Sequence, residues 1–292
     1  MKIGFIGLGI MGKPMALNLA KKGYDLQVYD LNAANIEAVA AAGAAPCASV
    51  AGACAGADVI ITMLPNSPQV EDVVLSPGGV LDSAQPGALL VDMSSINPMV
   101  SISLEQKLAE KGLRMLDAPV SGGEPKAVDG TLSIMCGGRQ EDFDQVRELL
   151  LCMGASAVLV GKIGSGNTAK LSNQIIVAMN IAAACEAYLL AAKAGVEVEK
   201  VFDAIKGGLA GSTVLNAKTG MMMAHDFKPG FRIGLHIKDL TNAMASAGSL
   251  GLQLPLSGQV LEMMKALDAQ GHGADDHSGL LRYYEELNQF TI

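Results

Sequence analysis

The chain has 292 residues, half of them hydrophobic and 17% charged, a composition that can bury a large core and excludes a disordered chain. Its formal net charge is −8, and no cluster of Lys and Arg is interleaved with aromatic residues, which argues against nucleic acid as a partner. The five cysteines, Cys47, Cys54, Cys136, Cys152 and Cys185, form no CxxC pair, so neither a disulfide framework nor a zinc site is expected.

Trp is absent, so the core must be built from Ala, Val, Leu, Ile and the 16 Met. Short apolar runs alternate with helical patterns in the first half. Lys2–Gly7 is an apolar run ending in glycine, and Met11–Lys22 has helical spacing. Leu26–Tyr29 predicts a second strand, followed by an Ala-rich helix over Ala33–Ala42. Val59–Met63, Leu89–Met93 and Met115–Ala118 predict three further buried strands. Such alternation predicts a parallel α/β sheet with both faces covered.

From Ile163 onward no strand is expected. Helical patterns occupy Ala169–Ala194, Glu199–Lys206, Ile237–Ala247, Gln259–Ala269 and Leu280–Asn288. The domain boundary is placed in the Gly-rich turn Gly161–Gly166, dividing the chain into 1–162 and 163–292. Leu171–Ala192 is the most apolar stretch, yet Asn173, Gln174, Asn180 and Glu186 interrupt it, which fits a buried helix better than a membrane span. The N-terminal segment lacks the long apolar region and cleavage site of a secretion signal, and a soluble, cytoplasmic protein is expected.

Gly7-Leu8-Gly9-Ile10-Met11-Gly12 is a G-x-G-x-x-G pattern between the first strand and the first helix. In that context the glycines serve a tight turn, a close backbone approach to a pyrophosphate, and close helix–strand packing. The plainer alternative is a Gly-rich turn with no ligand. Asp30 ends the second strand where a carboxylate can bond the adenosine ribose hydroxyls, or can cap the next helix. No Lys or Arg occurs between Lys22 and Lys107, so nothing nearby is suited to a 2′-phosphate, and NAD(H) is expected over NADP(H), with NADP(H) as the lesser option. Leu64, Pro65 and Asn66 follow the third buried strand and Ser95 follows the fourth, at strand ends that bind cofactor in such sheets; turn chemistry alone explains the same residues.

Four blocks resemble the β-hydroxyacid dehydrogenase (3-hydroxyisobutyrate dehydrogenase-like) family. They are Gly4–Gly12; Asp117-Ala118-Pro119-Val120-Ser121-Gly122-Gly123, continuing to Leu132; Gly166-Asn167-Thr168-Ala169-Lys170-Leu171-Ser172-Asn173-Gln174; and Phe231–Leu240. The resemblance spans nearly the whole chain. Ser121–Ala127 and Gly207–Leu215 carry a closer likeness to one member of that family. It implies an α/β Rossmann N-terminal domain, a long interdomain helix and an all-α C-terminal domain for substrate and oligomerisation, in a homotetramer or dimer.

It also implies that Lys170 is the general acid/base in reduction of a small carboxylated aldehyde. Hydride arriving at an aldehyde carbon leaves negative charge on oxygen, and a nearby ammonium can protonate it. The competing reading is a solvated helix residue, which the apolar flanks of Lys170 oppose. By the same resemblance, Ser121, Gly122 and Gly123 hold the substrate carboxylate. Several relatives carry Asn four residues after the lysine, where this chain has Gln174; the polar substrate contact is assigned to Asn173, with Gln174 as its rival, since both share a helix face with Lys170. Phe231 and Asp239 match substrate-side positions and Lys238 a cofactor contact, although Asp239 also reads as a surface charge. His225, His236, His272 and His277 lack metal-ligand spacing, and no metal is expected.

Overall fold

In the computed structural model, which describes residues 1–292, nine strands form one sheet. They are β1 (Lys2–Ile6), β2 (Asp25–Tyr29), β3 (Ala45–Pro46), β4 (Val59–Thr62), β5 (Leu89–Asp92), β6 (Arg114–Asp117), β7 (Val120–Ser121), β8 (Leu132–Gly137) and β9 (Gly154–Gly161). The sheet runs β3-β2-β1-β4-β5-β6-β8-β7, with β9 also paired to β8. The first six strands are mutually parallel, as the alternating pattern predicts.

Period two explains why these strands read as unbroken apolar runs. Val59 and Ile61 pack into one core and Ile60 into another, and Leu89 and Val91 divide from Leu90 in the same way. Both faces of the sheet are therefore covered, by α1 (Gly12–Lys21), α2 (Ala33–Ala40), α3 (Val50–Cys54), α4 (Ser67–Leu75), α5 (Val80–Ser83), α6 (Pro98–Ala109), α7 (Gly123–Asp129) and α8 (Gln140–Leu150). Each fully buried Leu, Ile or Val contributes about 1.5–3 kcal/mol.

The sheet departs from the sequence expectation beyond β6. β7, β8 and β9 were not foreseen, and β8 runs antiparallel to β6 and to β7. Parallel neighbours need a long crossover, whereas the brief β7–α7 excursion doubles the chain back on itself. β9 then pairs parallel to β8 after the α8 crossover.

The chain divides into two compact units, Met1–Lys170 and Leu171–Ile292, and the division falls inside one continuous helix, α9 (Ser165–Lys193). No strand follows β9, as expected. The second unit continues with α10 (Val198–Ile205), α11 (Thr213–Ala224), α12 (Ile233–Ser249), α13 (Pro255–Leu267) and α14 (Leu280–Asn288). Helix α11 was missed because it opens amid Gly and small polar residues; the Ser212 side chain caps it by accepting from the Leu215 amide. By length and composition α9 could cross a membrane. Its apolar side chains have a use within the unit: Ile181, Cys185, Tyr188 and Leu189 are buried in the core with Leu240, Met264 and Leu281.

Candidate active site

Parallel register brings three loops to one edge of the sheet. Ile6 stands beside Thr62, and Thr62 beside Asp92, so the loops after β1, β4 and β5 leave together. The strand order reverses between β1 and β4, the place where ligands bind in open α/β sheets. The Met63 amide donates to Ile6 O at 2.9 Å and the Met93 amide to Thr62 O at 2.8 Å, extending the ladder to the mouth of each loop. The Leu64 amide donates to Ser94 Oγ at 2.9 Å, which joins the second loop to the third, and the Leu64 side chain packs on Gly7.

The three glycines of the first loop have three different surroundings. Gly7 adopts φ 95°, a conformation side chains disfavour, and its amide donates to Tyr29 O. A methyl at Gly12 would overlap the Gly7 carbonyl, so α1 can approach β1 only without one. At Gly9 a methyl would meet nothing within 4 Å. Packing therefore demands glycine at 7 and 12 but not at 9. No side chain caps the N-terminus of α1, where free amides and the helix dipole favour an anion. This cradle fits the pyrophosphate of a dinucleotide.

Asp30 shapes the same loop. Its Oδ2 accepts from the Leu8 amide and its Oδ1 from the Asn32 amide at 2.8 Å. The capping alternative belongs instead to Asn32, whose side chain accepts from the Ala34 amide at the start of α2. Asp30 is thus fixed beside the glycine loop. Pro65 and Asn66 follow β4, and Ser95 follows β5, at this same edge.

On the other side of β6, β7 carries Ser121 into the loop Ser121-Gly122-Gly123. Gly122 at φ 142° and Gly123 at φ 71° occupy conformations suited to glycine. The aliphatic stem of Lys126 fills the space where a Gly122 side chain would stand. Lys170 lies in the second turn of α9 and is buried at 5% exposure, which removes the solvated-surface reading.

The start of α9 is held by residues that the sequence motifs contain but that drew no role. Asp117, at the end of β6, accepts from the Gly164 amide at 2.7 Å and the Asn167 amide at 2.6 Å. The Asn167 side chain accepts from the Ile96 amide at 2.9 Å and donates to Ser101 Oγ at 3.2 Å. Burial pushes the Asp117 carboxyl up to about 6, the two amides oppose that rise, and nearby Asp92 adds to it. The sequence signals for Asp117 were its place at the head of a family-like block and at the close of an apolar run.

In the second unit, the Gln174 Nε2 donates to Asp239 Oδ2 at 2.6 Å, and its Oε1 accepts from Asn173 Nδ2 at 2.9 Å. Asp239 is buried and ion-paired to Lys238 at 3.1 Å, so it is not a surface charge. Asp276, fully buried, gathers Lys218 Nζ at 2.9 Å and the amides of Gly230, Phe231 and Ser278. Burial alone would raise the Asp276 carboxyl, but His277, Lys218 and the amides of Phe231 and Ser278 hold it down at about 2. Of the four histidines, His225 pairs with Glu285 and His272 with Asp275, while His236 and His277 meet each other.

The fold and its glycine cradle define a dinucleotide-binding protein, and its relatives make it an NAD(P)-dependent oxidoreductase acting on CH–OH groups. Comparison with known proteins agrees. Residues 2–161 match the family model described as the NAD binding domain of 6-phosphogluconate dehydrogenase, and residues 164–284 that described as NAD-binding of NADP-dependent 3-hydroxyisobutyrate dehydrogenase. The 2-hydroxy-3-oxopropionate reductase of Escherichia coli is 42% identical over 98% of this chain and 97% of its own. The 2-(hydroxymethyl)glutarate dehydrogenase of Eubacterium barkeri is 37% identical over 100% of this chain and 97% of its own. A solved Mycobacterium tuberculosis 3-hydroxyisobutyrate dehydrogenase with L-serine has TM-score 0.91 and 32% identity, covering 97% of this chain and 98% of that one. The chain belongs to the β-hydroxyacid dehydrogenase family.

Proposed function

We propose that this protein reduces tartronate semialdehyde (2-hydroxy-3-oxopropanoate) to glycerate with NADH, using Lys170 as the proton donor. The observation that carries the chemistry is the burial of Lys170 one turn beyond an anchored helix start. The substrate rests on the 42% likeness to the E. coli reductase. Bound NADH supplies the hydride that the aldehyde carbon takes up. The chain's own residues bind the substrate and move the proton. Ser121 and the amides of Gly122 and Gly123 take the carboxylate. Lys170 Nζ–H gives its proton to the carbonyl oxygen as negative charge gathers there.

Asn173 is the better candidate for the polar substrate contact, because both ends of the Gln174 amide are already engaged. Phe231 and Asp239 complete the substrate side, and Lys238 serves the cofactor. Leu64, Pro65, Asn66 and Ser95 border the dinucleotide with Gly7–Gly12. Asp30 selects NADH, since a carboxylate repels a 2′-phosphate. The free cysteines suit a reducing cytoplasm. Exposed Ile176 and Leu190 on α9 suit burial in a homotetramer or dimer.

A second reading, 3-hydroxyisobutyrate dehydrogenase, is favoured by the M. tuberculosis structure. It keeps the same lysine and replaces the substrate hydroxyl by a methyl. Reduction of glyoxylate or succinic semialdehyde uses the same machinery. A non-catalytic nucleotide-binding protein would have no need of a buried lysine. The test is NADH oxidation with tartronate semialdehyde, methylmalonate semialdehyde, glyoxylate and succinic semialdehyde. A kcat/KM preference for the first is expected. Preference for the methyl compound moves the substrate assignment, and NADH binding without turnover overturns the enzyme reading.

A further inference from the structure

Two of the four histidines, 41 residues apart in sequence, form a buried pair in the second unit. His236 on α12 and His277 in the short turn before α14 have their Nδ1 atoms 3.0 Å apart and their ring centroids 5.0 Å apart. His236 Nε2 lies 3.0 Å from the Gln174 carbonyl oxygen. A carbonyl can only accept, so Nε2 of His236 carries hydrogen. In the neutral ring Nδ1 is then bare, and the hydrogen between the two rings belongs to His277 Nδ1. A proton on both Nδ1 atoms would set two donors head-on at 3.0 Å. Whether His277 is neutral or protonated, its Nδ1 is the donor and His236 Nδ1 the acceptor, which fixes both rings.

What the pair touches gives it a purpose. The Phe231 ring stands 5.7 Å from the His236 ring and 5.3 Å from the His277 ring. The Phe231 carbonyl accepts from the His277 amide at 2.9 Å, and its amide donates to Asp276 Oδ2 at 3.0 Å. On the opposite side, His236 grips the backbone of Gln174, whose side chain holds Asp239. Gln174 lies far in sequence from Phe231 and Asp239, and the pair is a hydrogen-bonded bridge between the Gln174 and Phe231 backbones.

We propose that His236 and His277 are positioning residues: their hydrogen bond locks Phe231 to Gln174 and Asp239, so that the substrate side of the second unit is set as one body. The proposal rests on the reading of those three residues as substrate-side. Simple core filling would be served equally by apolar side chains of the same size, whereas positioning needs the directional bond.

The test compares His277→Leu with His277→Asn. Leu removes the donor; the Asn Nδ2–H stands where the imidazole Nδ1–H stood. His277→Leu is expected to raise the aldehyde KM about tenfold, with kcat and the NADH KM within about twofold of wild type. His277→Asn is expected to restore the aldehyde KM to within about threefold. If His277→Leu fails to fold, His236→Gln replaces it, keeping the donor to Gln174 O and losing the Nδ1 acceptor, with the same KM rise expected. Nitrogen NMR of labelled histidine in the wild-type protein is expected to show His236 protonated at Nε2 and His277 at Nδ1. A folded variant with unmoved aldehyde KM, an equal rise in NADH KM, a folded Asn variant that restores nothing, or the opposite tautomers would each overturn the proposal. If the wild type turns over no aldehyde, the functional reading fails and the positioning role with it; turnover with an unmoved KM removes the positioning role alone.

Discussion

Substituting alanine at Gly9 and at Gly12 separates ligand approach from packing within one loop. At Gly12 the added methyl overlaps the Gly7 carbonyl oxygen and comes within 3.3 Å of Phe5, so backbone must yield to backbone. Such overpacking costs about 1–3 kcal/mol, against which the better helix propensity of alanine returns less than about 1 kcal/mol. A net loss of about 1–2 kcal/mol lowers Tm by about 3–8 °C in a unit of this size. At Gly9 the methyl meets no atom within 4 Å and the backbone is not left-handed, so Tm should hold or rise slightly. The methyl would instead occupy the path of the pyrophosphate, and the NADH Kd should rise about 10–100-fold, or about 1.4–2.7 kcal/mol. Thermal unfolding and NADH fluorescence titration of both variants read the two effects apart. A Gly9→Ala protein that binds NADH as tightly as wild type would refute the placement of the pyrophosphate at this loop. A Gly12→Ala protein of unchanged Tm would refute the packing argument.

Lys170→Ala should leave NADH affinity nearly intact and lower kcat about 10²–10⁴-fold, the usual range for a general acid; near wild-type turnover would remove Lys170 from the mechanism. Asp30→Asn keeps one acceptor for the glycine loop and removes the charge, so the NADPH-to-NADH ratio of kcat/KM should rise about tenfold, measured by steady-state kinetics with each cofactor. A wild type that already prefers NADPH would refute the reading of Asp30. Asp117 titrates near 6 when folded, above its unfolded value, so between about pH 4 and 6 the folded state holds a proton that the unfolded chain lacks. Its contribution therefore makes stability fall as pH rises through that window, by up to about 1.4 kcal/mol per pH unit. Asp117→Asn, followed by urea unfolding across the same window, should flatten that slope.

Most of the parallel sheet was legible because strands buried on both faces read as apolar runs, as β4 and β5 do, while β2 shows as the alternation Leu26-Gln27-Val28. β7, β8 and β9 escaped because their patterns are short or half exposed; Val158 and Val160 on β9 face outward. The glycine loop, Asp30, the Ser121 loop and Lys170 were legible as motifs, since their chemistry demands particular residues at short, fixed spacing. Asp117, Asn167, Asp276, His236 and His277 were not. Asp117, Asn167 and His236 lie inside motifs and Asp276 and His277 outside them, and each acts through a partner distant in sequence.

The sequence by itself determined the buried strands β1, β2, β4, β5 and β6, the change from alternating α/β to all-helical chain, and the motifs of a nicotinamide-dependent family. These follow from local periodicity and short motifs, which neighbouring residues encode together. Only the tertiary structure decided that Asp30 holds the glycine loop rather than capping α2, and that Asp239 is buried. It alone paired His236 with His277. Burial and hydrogen bonding join residues across tens of positions, and no local pattern records which distant partner a polar side chain will meet.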